Sequence, residues 1–200
     1  MKYLFIVQGE GRGHLTQAIA LSRILRRHGH EVVEVLVGKS SNREIPSFFM
    51  DKIGARVRTF ASPNFCHGKD YKKVKLAKSI LFNITVKKLR EYRESVHLIH
   101  RRIEKTSPDV VINFYEILAG LVNLCFREHV PFVCLAHQFL LKHPDYRYGN
   151  GMGREEMLLR FNNTLCSFGA TKTLALSFYP LKDFYRERVA VVPPLLREEV

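Results

Sequence analysis

Several features that mark secreted, disulfide-bonded or membrane-spanning proteins are scarce or missing in this sequence. The four cysteines, Cys66, Cys125, Cys134 and Cys166, form no C-x-x-C pair. Because Cys125 and Cys134 lie in apolar runs, we expect buried, reduced thiols rather than a zinc site or disulfides. No apolar run approaches the roughly 20 residues of a spanning helix, and the short run after Lys2 does not fit a signal peptide. We therefore expect a cytoplasmic protein.

Acidic residues are also scarce. The 200 residues contain 19 Asp and Glu against 32 Lys and Arg, which gives a formal net charge of +13. Such a charge predicts attraction to phosphates, nucleic acid or an anionic membrane surface, without choosing among them. A hydrophobic content of 46% is that of a soluble globular protein, and the length fits one domain of ordinary size.

The most informative stretch is residues 2–25, which read KYLFIVQGEGRGHLTQAIALSRIL. A short apolar run leads through a glycine-rich turn to apolar residues at helical spacing, which predicts a strand, a tight loop and a helix. Gly9, Gly11 and Gly13 permit positive φ and close approach to a ligand, and the helix start offers unpaired N–H groups. The turn therefore suits a phosphate or another anion. The alternative is that it only packs the helix tightly on the sheet.

Two common nucleotide-binding motifs do not fit this turn. Its third glycine comes one position too early for the dinucleotide fingerprint G-x-G-x-x-G. The second predicted strand, Glu31 to Val37, is followed by Gly38-Lys39-Ser40, which has no acidic residue for a ribose and no glycine five residues earlier for a Walker A loop. NAD and ATP are therefore disfavoured.

The sequence GEGRGHLTQAIAL resembles the opening of glycosyltransferases with the two-domain GT-B architecture, especially the group near MurG and the galactolipid synthases. In that group the first strand leads into a glycine-rich loop that ends in histidine. Later segments match in order: a strand at Asp109 to Phe114, the stretch Pro131 to Gln138, and a closing Val191-Val192-Pro193-Pro194.

The resemblance implies a domain organisation and an activity. Residues 1–192 would form the N-terminal acceptor-binding domain, residues 193–200 would begin an interdomain linker, and the C-terminal donor domain would be absent. The full-length protein would transfer a sugar from a nucleotide diphosphate sugar, without metal or cofactor, to a glycan or lipid-linked acceptor. The 200-residue fragment alone is expected to be inactive.

Strands alternate with helices along the chain. This order predicts an α/β fold, a Rossmann-like, doubly wound parallel sheet of about seven strands in three layers. In such sheets ligands bind outside the carboxyl ends of the strands. The loops after the first, fourth and fifth strands should therefore form the site.

Histidine suits the removal of a proton from an acceptor hydroxyl at neutral pH. His14 resembles the family position proposed for that base, and Glu116 is the candidate carboxylate that orients it. Simpler roles remain open, helix capping or phosphate contact for His14 and a helix-dipole contact for Glu116. The other residues expected to bind substrate are Gly9, Gly11, Arg12, Gly13, Asn113, His137 and Gln138.

A long helical region, Tyr71 to Lys105, carries much of the positive charge. Between Lys69 and Lys105 there are twelve Lys and Arg against four acids, beside the apolar cluster Ile80 to Phe82. This region either forms a solvated helix face or meets an anionic membrane surface. It has no aromatic stacking motif, so nucleic acid is not an expected partner. A nucleic-acid-binding α/β module and half of a sugar-nucleotide 2-epimerase are the alternative functions.

Overall fold

The computed structural model describes residues 1–63, 85–146, 153–184 and 188–196. The strands in these residues are β1 (Lys2–Gln8), β2 (Glu31–Lys39), β3 (Val57–Ala61), β4 (Val110–Phe114), β5 (Phe132–Ala136), β6 (Lys172–Leu176) and β7 (Val189–Val192). The α-helices are α1 (Arg12–Arg27), α2 (Ser47–Ile53), α3 (Val86–Thr106), α4 (Ile117–Phe126) and α5 (Gly153–Cys166), and His137–Lys142 is a 3-10 helix.

The described strands form one seven-stranded sheet in the order β3-β2-β1-β4-β5-β6-β7, and every neighbouring pair is parallel. The order reverses between β1 and β4. A crevice forms at such a reversal because the connections from the two strands leave on opposite faces of the sheet. The predicted Rossmann-like parallel sheet is therefore confirmed.

Helices cover both faces of the sheet. Phe5 and Val7 of β1 pack in one apolar cluster with residues of α1 and α2. Leu4 and Ile6 point to the opposite face and pack with residues of α3 and α4. Burying one such side chain contributes about 1.5–3 kcal/mol. Because the apolar residues of β1 alternate between two helical layers, the strand is buried on both sides, and the three-layer prediction is confirmed.

Two segments differ from what their sequence predicts. The glycines, tyrosines and proline of residues 137–153 predict a loop, but this segment begins with a 3-10 helix because Phe139 is fully buried in a third apolar cluster with Tyr115 and Cys166. The sequence of residues 180–186 predicts a turn or short helix, but residues 180–184 contain no helix, and Phe184 makes an antiparallel bridge to Val189.

The predicted long helix is only partly covered by the described residues. Its described part, α3, begins after Thr85, whose side chain accepts a hydrogen bond from the Lys88 N–H and so caps the helix. The earlier part, residues 71–84, lies outside the described residues. In the described part of the chain, no helix combines the length and the apolar character that crossing a membrane requires.

The prediction for Cys125 is wrong. Cys134 and Cys166 are buried, whereas Cys125 is exposed. Its neighbour Leu124 is also 52% exposed, because this side of α4 faces away from the sheet. An apolar run on a helix covering a sheet buries one face only, so position in the run does not decide burial.

Candidate active site

The glycine-rich turn joins β1 to α1 at the crevice. The Gly9 N–H donates to the Gly38 carbonyl at 2.7 Å, and a Cβ on Gly9 would lie 2.7 Å from Val37 Cγ1. Gly9 therefore allows the end of β1 to approach β2. A Cβ on Gly11 or Gly13 would meet no atom within 4 Å, and neither glycine has positive φ. The positive φ that glycine permits is therefore not used in this turn, and Gly11 and Gly13 border open space.

The first turn of α1 offers N–H groups without a side-chain cap. Gly11 is the N-cap residue, it provides no side-chain hydrogen bond, and the first turn contains no acidic residue. Arg12 is exposed at the first helical position. An anion at this end would be stabilised by the unpaired N–H groups and by the helix dipole. The described residues contain no group of three His, Cys, Asp or Glu side chains placed to hold a metal ion.

His14 lies in the same first turn but is only 6% exposed. Its ring stacks on Tyr115 at 5.6 Å between centroids and on His137 at 6.2 Å. Its Nδ1 lies 3.3 Å from Gln17 Oε1, and its Nε2 lies 3.3 Å from Gln138 Nε2. The structure thus brings together the predicted residues His14, His137 and Gln138, which come from the loops after β1 and β5.

The surroundings of His14 keep its imidazole neutral. The pKa of His14 is lowered from 6.5 to about 4, mainly by burial and also by the nearby His137, while the hydrogen bond with Gln17 raises it. Burial also lowers the pKa of His137. A neutral imidazole has one unprotonated nitrogen, so His14 can accept a proton at pH 7.

The structure does not bring Glu116 to His14. Glu116 is the N-cap residue of α4, and its Oε1 accepts hydrogen bonds from Ser62 Oγ at 2.6 Å and from the Leu118 N–H at 3.2 Å. Its carboxyl group points toward Gly38, where a Cβ would collide with it. No contact observed among the described residues therefore supports the orienting role predicted for Glu116.

Complete burial makes the Glu116 carboxyl difficult to ionise. Its pKa is raised from 4.5 to about 7, mainly by burial and also by the charge of Glu10, although the hydrogen bonds from Ser62 and Leu118 lower it. Among the described residues, Glu116 Oε2 has no hydrogen-bond partner. Burial therefore favours the protonated form of this carboxyl at a higher pH than in water.

Asn113 is not at the surface of the cleft, contrary to the prediction. It is fully buried. Its Nδ2 donates to the carbonyl oxygens of Glu116 at 3.0 Å and Cys166 at 2.8 Å, and its Oδ1 accepts from the Glu116 N–H at 2.8 Å. Since the whole amide group is used within the protein, Asn113 holds the turn between β4 and α4 against α5.

Gln138 is held at the cleft by its backbone while part of its side chain has no partner. Asn163 Nδ2 donates to the Gln138 carbonyl at 2.9 Å, and Tyr115 Oη donates to Asn163 Oδ1 at 2.7 Å. Gln138 Oε1 is buried and accepts no hydrogen bond from the described residues. An unpartnered buried acceptor favours a donor from a ligand, such as a hydroxyl group.

Sequence reasoning missed three residues of this region. Gln17 is three positions after His14, and residues at this spacing are neighbours on a helix surface, so it could have been found. Tyr115 directly follows β4, where the site was expected, but its contact with His14 depends on the fold, as does the contact of Ser62 with Glu116.

The sequence model described as glycosyl transferase family 1 matches residues 1–200. The chain belongs to this glycosyl transferase family. The resemblance to the N-terminal domain of GT-B glycosyltransferases is thereby confirmed. No curated protein gives a significant match to the sequence.

Solved structures share the fold of this glycosyl transferase domain at low sequence identity. UGT2 of Phytolacca americana, in complex with UDP-2-fluoro-glucose and pterostilbene, is 9% identical with a TM-score of 0.58, and the alignment covers 98% of this chain and 55% of UGT2. The glycotransferase of kitacinnamycin is 15% identical with a TM-score of 0.54, and the alignment covers 98% of this chain and 52% of that protein. UDP-GlcNAc 2-epimerase of Neisseria meningitidis is 13% identical with a TM-score of 0.52, and the alignment covers 88% of this chain and 40% of the epimerase. The chain thus spans about half the length of these proteins or less.

Proposed function

We propose that this chain is the acceptor-binding half of a glycosyltransferase that transfers a sugar from a nucleotide diphosphate sugar to a glycan or lipid-linked acceptor. The observation that carries the proposal is the buried neutral imidazole of His14, whose Nε2 faces Gln138 at the carboxyl end of β5. His14 accepts the proton of the acceptor hydroxyl as its oxygen bonds to the anomeric carbon and the nucleoside diphosphate leaves. Gln138 and His137 hydrogen-bond the acceptor.

The donor is bound mostly by a part of the full-length protein outside these 200 residues. This proposal is supported by the matched glycotransferase of kitacinnamycin, of which the alignment covers 52%. Within this chain, the backbone at Gly11 and Gly13 and the side chain of Arg12 approach the diphosphate. The 200 residues alone are then inactive, because a base without a bound donor has no anomeric carbon for the acceptor oxygen to attack.

A sugar-nucleotide 2-epimerase is the second candidate, because the fold is shared with the Neisseria meningitidis UDP-GlcNAc 2-epimerase. Abstraction of a proton from carbon favours acidic and cationic side chains around the cleft. The side chains that contact His14 in the described structure are instead neutral, namely Gln17, Gln138, Tyr115 and a His137 whose pKa is lowered. This environment favours the transferase.

The decisive experiment is incubation of the full-length protein with a panel of nucleotide sugars, with and without glycan or lipid-linked acceptors. We expect sugar on the acceptor and no sugar-nucleotide product without it. A C2-inverted sugar nucleotide formed without acceptor would establish the epimerase instead. Binding to DNA with a steep salt dependence, together with no binding of any nucleotide sugar, would establish the nucleic-acid module.

A peripheral position at the cytoplasmic face of a membrane fits a lipid-linked acceptor. The predicted contact, residues 69–84 with their lysines, lies outside the described residues. In the described residues, the start of α3 continues the same pattern: Val86 is 88% exposed and Leu89 is 51% exposed, next to exposed Lys87 and Arg90. Exposed apolar side chains among basic ones suit insertion between anionic headgroups.

A further inference from the structure

Gln17 contacts Nδ1 of His14, whereas the proposed base is the other ring nitrogen, Nε2. On α1 the two side chains are three residues apart, and Gln17 Oε1 lies 3.3 Å from His14 Nδ1. A carbonyl oxygen can only accept a hydrogen bond, so Nδ1 must carry the proton for this contact to form. Nε2 is then unprotonated and accepts a hydrogen bond from the Gln138 amide at 3.3 Å.

The other tautomer requires both glutamines to turn. With the proton on Nε2, Gln138 would present its carbonyl oxygen to that nitrogen, and Gln17 would present its amide N–H to Nδ1. The observed arrangement leaves Gln138 Oε1 buried without a partner among the described residues. Gln138 thus has a reason to turn, but Nδ1 and the Gln17 oxygen would then face each other without a proton unless Gln17 turned as well.

We propose that Gln17 is a positioning residue for His14: it holds the imidazole proton on Nδ1 and leaves on Nε2 a lone pair that the acceptor hydroxyl takes over from the Gln138 amide. This inference rests on the proposed function for its catalytic meaning. When the acceptor hydroxyl gives its proton to Nε2, the ring becomes an imidazolium and Nδ1–H remains bonded to Gln17. The acceptor oxygen takes the anomeric carbon and the nucleoside diphosphate departs with the bonding electron pair. The extra proton on Nε2 is afterwards released to water.

A neutral amide suits this place better than a carboxylate. The titratable groups stacked on His14 are Tyr115 and His137, and neither carries a negative charge at neutral pH. The residues before it on the chain are Arg12, which is exposed, and Glu10, whose carboxylate accepts a hydrogen bond from the Ser40 N–H at 2.6 Å. Gln17 therefore orients the ring without adding a charge that would protonate it at neutral pH.

Nitrogen NMR of protein labelled with 15N at histidine tests the tautomer directly, with His14→Asn used to assign the signals. We expect His14 to be protonated on Nδ1 at pH 7. Gln17→Leu removes the acceptor, so the proton should move toward Nε2. Gln17→Glu should keep the proton on Nδ1 and raise the titration midpoint of His14 by about one pH unit or more.

Thr16→Val is the matched control, because Thr16 lies in the same turn and its Oγ1 bonds only to the Gly13 carbonyl in the described structure, at 2.8 Å. It should leave the His14 spectrum unchanged. A His14 spectrum unaltered by Gln17→Leu, or a wild-type proton on Nε2, would overturn the proposal. In the full-length protein, Gln17→Leu should lower kcat about tenfold with little change in KM. The spectra do not depend on turnover, so a confirmed tautomer with an active His14→Ala variant would reject the proposed base and keep the positioning.

Discussion

A histidine that is 6% exposed behaves differently from one in water, because each contact at its ring changes the balance between its charged and neutral forms. The contacts of the His14 ring with Tyr115 and His137 exclude water, which disfavours the imidazolium. Burial raises the pKa of Glu116 and lowers that of His14, because the charged form is deprotonated in glutamate and protonated in histidine. Burial therefore keeps both groups neutral over part of the physiological pH range.

His14→Ala in the full-length protein should lower turnover by about a hundredfold or more, because the acceptor hydroxyl loses its base. Donor binding should change little, so the loss should be in kcat. In the wild type, kcat/KM should fall only as the pH drops toward about 4, where His14 becomes charged. His129→Ala changes an exposed histidine elsewhere and serves as the control. Turnover near the wild-type value in His14→Ala would leave His14 as a binding or capping group.

Glu116→Gln tests whether the buried carboxyl makes stability depend on pH. Its pKa is raised to about 7 in the folded protein, from the ordinary value of 4.5 that applies to an unfolded chain. As the pH rises through this window, the unfolded chain ionises first, so the folded state loses stability until Glu116 itself ionises. The loss should reach roughly 3 kcal/mol at pH 8 and be absent at pH 4.

The measurement is urea unfolding of the wild type and Glu116→Gln at pH 4, 6 and 8. The difference between their free energies of unfolding should change in favour of the variant as the pH rises. An absolute offset from the altered contact with Ser62 is the same at each pH and does not affect the result. A difference that does not vary with pH would show that Glu116 titrates normally.

At the scale of elements, the turn between β1 and α1 contains glycines with different duties. Gly9 is confined by the side chain of Val37 and the carbonyl of Gly38, which the parallel pairing of β1 and β2 brings close. Gly11 and Gly13 meet no such neighbour. The same residue type thus serves packing at one position and open access at the others.

Alanine substitutions separate these duties. Gly9→Ala should destabilise the protein by about 1–3 kcal/mol, because the added methyl group overlaps with β2. Gly13→Ala, in the first turn of α1 and free of close contacts, should stabilise it by roughly 0.5–1 kcal/mol, because alanine loses less backbone entropy in a helix. Urea unfolding midpoints of both variants test the pair. Equal effects of the two substitutions would contradict the packing role of Gly9.

At the scale of the whole molecule, the helices on both faces of the sheet carry exposed apolar side chains. Leu89 on α3 and Met50 on α2 are each 51% exposed. They lie on opposite faces, since α3 and α2 pack on opposite sides of the sheet. Only the α3 side continues from the strongly basic segment that begins at Lys69. A membrane contact should therefore use one face and not the other.

Sedimentation with anionic vesicles should detect binding that rises with anionic lipid content and falls with salt. Val86→Ser with Leu89→Ser should weaken it about tenfold or more, because apolar area no longer inserts. Replacing Lys72, Lys73 and Lys75 by glutamate should abolish it. Met50→Ser is the control with matched exposure on the other face. An absence of binding to anionic vesicles at low salt would leave a soluble acceptor as the substrate class.

The alternation of apolar runs by itself determined the class of fold. Apolar side chains on both faces of a short strand require a helical layer on each side, and this requirement is local enough to be read from β1, β2 and β4. The placement of His14 at the start of α1 also follows from the local turn. The predicted limits of the strands lie close to the observed ones. The burial predicted for Cys125 is wrong, because burial depends on which face of a helix meets the sheet.

Only the tertiary structure decided the partners of His14 and Glu116. Gln138 reaches His14 across 124 residues of sequence, and Ser62 reaches Glu116 across 54. Glu116 caps α4 and accepts a hydrogen bond from Ser62 instead of reaching the loop that carries His14. No sequence pattern encodes the relative stability of these two arrangements. Asn113 was misplaced for the same reason, because its amide is used by a turn and by α5. Partners of a buried polar group are selected by which distant donors and acceptors the sheet order brings within hydrogen-bond distance.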